Sequence, residues 1–158
     1  MTRPAPMGWT WIPKWTQPFR MASKAEHVSK ALRNEAALSR FDFEPDLYEW
    51  YVTVSFYAAV HWIRAYLAAA GYGAGPREEI TYEDFPRHMR QVFRAGHGGA
   101  DGPAEDAIAR FLSLKRLSQR ARYGCESPGW YARQTGEADA ALKGVRAFVS
   151  GEGVDTSA

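Results

Sequence analysis

The sequence has one cysteine, Cys125, among its 158 residues. A lone thiol cannot close an internal disulfide, and no other cysteine is present to build a Cys-based zinc cluster. A domain of this length buries roughly two-thirds of its unfolded-chain surface and needs no such staple. A single domain in a reducing cytoplasm is therefore the expectation. Continuous apolar runs are also scarce. Leu47 to Ala70 is the most apolar segment, but Glu49, His61 and Arg64 interrupt it short of the ~20 apolar residues a bilayer requires, so no membrane association is expected. The first 20 residues hold four prolines and no apolar core for a secretory signal.

Strand signals are missing as well. No segment alternates apolar and polar residues or concentrates Val, Ile and Thr, so Gly71, Gly73 and Gly75 are loop punctuation and not a phosphate loop following a strand. The four histidines, at 27, 61, 88 and 97, lack the paired spacing of a metal site, and no metal or cofactor is expected. Cys125 has no visible base partner and reads as inert.

Helical signals fill the chain instead. Ser23 and Glu26 have the spacing of a capping box, and Val28, Ala31, Leu32, Leu38 and Phe41 follow near helical period. Pro45 and Asp46 restart the chain into a second helix reaching about Ala70, with Gly71 as its stop. Asp84, Pro86 and Gly96 bracket a short third helix, and Pro103 opens a fourth that runs to about Tyr123. Pro128 and Gly129 mark residues 124–134 as an irregular link before a closing helix over roughly 136–150. The expected architecture is an all-α, up-and-down bundle of about five helices over 23–150. An extended aromatic and proline-rich arm precedes it at 1–22, and a disordered tail follows at 151–158. Trp9, Trp11, Trp15 and Phe19 of the arm are costly to leave in water, so it is expected to pack on this chain or on a second copy.

The net charge of +2 is too balanced for the chain as a whole to be a nucleic-acid binder, but the charges are unevenly placed. Arg87, Arg90, Arg94, Arg110, Lys115, Arg116, Arg120 and Arg122 face only Asp101, Glu105 and Asp106 over residues 86–122. Each of these cations can equally be a solvated or salt-bridged helix residue. On the central helix, Thr53, Tyr57, His61 and Arg64 fall on one side. Either they form an internal hydrogen-bonded network that fixes helix register, or they line a cleft. In a cleft, His61 beside Arg64 would bind phosphate or move protons.

The run Phe56-Tyr57-Ala58-Ala59-Val60-His61-Trp62-Ile63-Arg64-Ala65-Tyr66-Leu67-Ala68 resembles a signature of HEPN domains, named for their occurrence in higher eukaryotes and prokaryotes. Leu117-Ser118-Gln119-Arg120-Ala121-Arg122-Tyr123 resembles the segment that closes the penultimate helix of that family, and Glu137 to Val149 its alanine-rich last helix. Arg122 stands where many members carry an acid. The resemblance covers 23–150 and implies a compact bundle, a homodimer, and a role beside RNA or nucleotide in a defence or toxin–antitoxin type system. It also implies a protein partner such as a nucleotidyltransferase-type antitoxin. Some members are metal-independent ribonucleases with an arginine and, after four to six intervening residues, a histidine. Arg20/His27 and Arg90/His97 have that spacing here, which 15 arginines and four histidines produce about once by chance. The expected site is then His61 and Arg120 as catalytic candidates. Arg64, Arg87, Arg90, Arg94, Arg122, Tyr123 and His97 are the binding candidates.

Overall fold

The computed structural model of the chain describes residues 22–41, 44–72, 80–99 and 102–157. The N-terminal arm lies outside the described residues apart from Ala22. Helix α1 spans Lys24–Phe41, α2 Tyr48–Ala69, α3 Phe85–His97, α4 Gly102–Tyr123 and α5 Pro128–Gly151, with a 3-10 turn at Pro45–Leu47. No strand occurs among the described residues. The chain is an all-α bundle.

Local chemistry sets the helix ends. The Ser23 amide donates to Glu26 Oε2 at 2.7 Å and the Glu26 amide to Ser23 Oγ at 3.3 Å, the reciprocal pair of a capping box. Gly98 closes α3 at φ 64°, a left-handed conformation that costs glycine little, and its amide returns to the Arg94 carbonyl. The last helix differs from the sequence expectation. It starts at Pro128 rather than near 136, because Ser127 Oγ accepts the Trp130 amide at 3.3 Å and proline supplies a ready first-turn φ.

Helix α2 packs on all four other helices. Its apolar circumference buries Val52, Phe56, Trp62, Ile63 and Leu67, and Ala58, Ala59 and Ala65 let neighbouring backbones approach closely. Phe111 of α4 meets both Phe56 (5.7 Å between ring centroids) and Phe85 of α3 (5.5 Å), joining three helices in one aromatic cluster. Each such side chain contributes about 1.5–3 kcal/mol by leaving water. No described helix is long and apolar enough to cross a membrane.

A polar tie holds α1, α2 and α5 together. Glu35 accepts the Trp62 indole N–H at 2.5 Å and an Arg146 N–H at 2.6 Å, while the Arg146 guanidinium sits 5.2 Å from the Trp62 ring. Arg146 also donates to the Thr156 carbonyl at 2.7 Å, and Val154 is buried. Residues 152–157, where the sequence suggested disorder, are thus anchored at two points. Cys125 is exposed at the α4–α5 joint.

Candidate functional site

Trp50, Thr53, Tyr57, His61 and Arg64 follow one another on α2 at steps of three, four, four and three, which aligns them along a single line of the helix. The line is not an internal network. Thr53 is buried, but Trp50 and Tyr57 are 51% and 42% exposed, and His61 and Arg64 are half-buried.

At its upper end α1 supplies a second imidazole. Helices α1 and α2 form an antiparallel hairpin, and His27 and His61 each lie 17 residues from Glu44 in the connecting turn. The fold places their Nδ1 atoms 3.3 Å apart with the rings stacked at 5.5 Å. One nitrogen must donate and the other accept, so the contact requires at least one neutral ring. For His27, burial first, then the positive charges of Arg64 and Lys30, lower the pKa to about 4, against an opposing pull from Glu26. For His61, burial first, then His27, Lys30, Arg64 and Arg33, lower it to about 4 as well. Both rings are uncharged at neutral pH.

At the lower end the last turn of α4 closes on α2. An Arg122 N–H donates to the Tyr57 hydroxyl oxygen at 3.3 Å, and its guanidinium lies 5.9 Å from the Tyr57 ring and 5.3 Å from that of Tyr123. Tyr123 is 79% exposed. Glu49, Trp50, Thr53, Ala121 and Arg122 line a cavity of about 120 Å³ beside it. Among the described residues Lys30, Arg33, Arg64 and Arg122 have no carboxylate oxygen within 4.0 Å.

The other sequence candidates lie elsewhere, and most are engaged. Arg87 pairs with Asp84 at 3.1 Å, and Arg90 grips Glu105 through Nε (2.5 Å) and Nη2 (2.9 Å). Arg120 pairs with Glu126 at 2.5 Å and stacks 4.7 Å from the Trp130 ring. Arg94 is exposed in the last turn of α3. His97 ends that helix rather than lying in a loop. Its ring stacks on Phe93 at 4.1 Å, and its Nε2 lies 3.7 Å from Glu152. The basic middle of the sequence is therefore largely spent on ion pairs, whereas Lys30, Arg33, Arg64 and Arg122, on α1, α2 and the end of α4, have none among the described residues.

No family model, curated protein or solved structure matches this chain. What the site can do follows from its own chemistry. His27, Lys30, Arg33 and Trp50 are not among the sequence candidates. The signal for His27 is its equal spacing with His61 about the turn; that for Trp50 is its place one step below Thr53. No group of three or more His, Cys, Asp or Glu side chains suited to a metal occurs among the described residues. The stripe offers three exposed aromatic faces and four unpaired cations, the elements that stack bases and hold phosphates.

Proposed function

We propose that the chain is a HEPN-like helical module that binds single-stranded RNA along the α1–α2–α4 stripe, as a dimeric, non-catalytic component of a prokaryotic defence or toxin–antitoxin type system. The observation that carries the RNA reading is the interleaving of Trp50, Tyr57 and Tyr123, all exposed, with Arg122 and Arg64 along one face. Aromatic rings left in water between guanidinium groups have a base-stacking geometry, and each stacked base is worth about 1–3 kcal/mol. Phosphate contacts set the register, and the A-form duplex is disfavoured because its bases are not available to stack.

Fluorescence anisotropy with a labelled single-stranded oligoribonucleotide tests this. With Lys30, Arg33, Arg64 and Arg122 on phosphates, log affinity should fall with log salt at a slope of about −3, from ~0.7 per contact on a single strand. Trp50→Ala and Tyr57→Ala should each weaken binding by roughly 5- to 160-fold, whereas Arg90→Gln, whose arginine is held by Glu105 away from the stripe, should leave it unchanged. A salt-independent affinity, or equal losses in Arg90→Gln and Tyr57→Ala, would count against the surface.

The His27–His61 contact favours a second reading, a metal-independent ribonuclease. A neutral imidazole can accept a proton from a ribose 2′-hydroxyl as that oxygen attacks the adjacent phosphorus, with the 5′-oxygen leaving and taking up a proton. RNA cleavage in chelator that is lost in His61→Ala and retained in His97→Ala supports it. No cleavage by the parent protein rejects it.

A further inference from the structure

Where α1 crosses the C-terminal half of α2, the fold gathers like charge without neutralising it. Lys30 stands one turn beyond His27 on α1, and Arg64 one turn beyond His61 on α2, so both cations flank the joined imidazoles. Arg33 adds a third charge from α1. Its influence reaches His61, as do those of Lys30 and Arg64. Among the described residues the acid acting on the pair is Glu26, which acts on His27 and whose carboxylate accepts the Ser23 amide at 2.7 Å at the start of α1. Among the described residues the charged groups acting on the two rings come from α1 and α2, namely Glu26, Lys30, Arg33 and Arg64. Three cations thus stand around one buried and one half-buried ring, and among the described residues none of the three has a carboxylate oxygen within 4.0 Å.

We infer that this cluster is a binding site for a phosphomonoester, a terminal phosphate dianion held by Lys30, Arg33 and Arg64 and hydrogen-bonded by the His27–His61 pair. The charge count decides between phosphate types. Three cations less Glu26 leave about two positive charges, which match the dianion of a terminal phosphate and exceed the single charge of an internal phosphodiester. A guanidinium provides forked donors to two oxygens, the ammonium a third contact, and an imidazole N–H a fourth. The dianion also reverses the electrostatics of the pair. Cations that now disfavour a charged ring are neutralised, and the bound phosphate favours protonation, so binding takes up a proton.

The site stands independently of the RNA reading for free phosphate and deepens it for RNA, where it selects strands bearing a terminal phosphate. Two arms separate these. In the first, inorganic phosphate is titrated into the full chain at constant ionic strength while the imidazole ¹⁵N resonances are followed. His27 and His61 should move toward the protonated form while His88 and His97 stay fixed, and Lys30→Gln/Arg33→Gln, two positions outside the core, should weaken the response about tenfold or more. In the second, 5′-phosphorylated and 5′-hydroxyl versions of one oligoribonucleotide are compared. The phosphorylated strand should bind about tenfold tighter, and Arg64→Gln should erase that preference, leaving the two strands equal on top of the general loss that follows from removing one phosphate contact.

Phosphate shifts that appear equally at His88 and His97, or a phosphate response unchanged in the Lys30/Arg33 variant, overturn the site. Equal affinity for the two strands overturns its role on RNA and leaves the RNA surface standing. Phosphate binding with no affinity for either strand upholds the site and rejects the RNA surface.

Discussion

Acidification should destabilise this protein through two histidines before its carboxylate ion pairs are protonated. His27 and His61 both titrate near 6.5 in an unfolded chain and are lowered to about 4 in the bundle. As the pH falls below 6.5 the unfolded chain takes up these protons first, so it gains on the folded state. The associated stability is complete above pH 6.5, drains between 6.5 and 4, and is gone below 4. A fall from 6.5 to about 4, at about 1.4 kcal/mol per pH unit, sets a ceiling of about 3.4 kcal/mol for each ring. Solvent screening at half-buried His61 reduces this, and about 4 kcal/mol is the figure for the pair. A domain with about 5–15 kcal/mol in total would lose much of its margin. Urea denaturation followed by circular dichroism at pH 7, 5.5 and 4.2, in phosphate-free buffer, measures the loss in the parent and in His27→Gln/His61→Gln. The amide pair can still hydrogen-bond but cannot titrate, so every carboxylate contribution cancels in the difference. The parent should lose about 3 kcal/mol more than the variant over this range, which stops just short of full titration. Superimposable pH profiles would refute the assignment of neutral rings.

Three further sets of substitutions probe the rest of the bundle. Glu35→Leu leaves the buried Trp62 indole N–H and the Arg146 guanidinium without their acceptor and should cost about 2–4 kcal/mol in chemical denaturation, with an unchanged m-value. Two glycines should behave oppositely in thermal melts. An added Cβ at Gly124 meets the Arg120 carbonyl oxygen at 2.6 Å, a backbone atom that cannot yield, so Gly124→Ala should cost roughly 1–3 kcal/mol. At Gly144 it meets the side chain of exposed Arg110, which can swing into solvent, so Gly144→Ala should stay within about 1 kcal/mol of the parent. Val154→Ala should cost about 1–2 kcal/mol and raise amide exchange at the end of α5, because that side chain secures the residues after the helix.

The helices are legible wherever one short-range signal governs them. The Ser23–Glu26 box, the apolar circumference of α2 and the glycine stop of α3 all point to helices that form, with boundaries displaced by a residue or two at most of these ends. The start of α5 is not legible from its breakers, because Pro128 and Gly129 taken singly interrupt a helix, whereas Ser127 followed by proline opens one. The site is legible only in part. His61, Arg64, Arg122 and Tyr123 can be chosen from motif and spacing, but which arginines remain unpaired depends on contacts between elements. Arg90 finds Glu105 on another helix, and Arg120 finds Glu126 past a helix end. Local charge density along the chain cannot report such pairings, and it points to residues 86–122 when the unpaired cations lie mainly on α1 and α2.

Cys125, the sole thiol, is exposed two residues beyond Tyr123. A maleimide dye or spin label would therefore attach at one position without any mutation, next to one end of the aromatic face. The wild-type chain can thus report occupancy of that face by a change in emission or label mobility. A second label introduced on α1 would turn the same native residue into one end of a molecular ruler across the bundle.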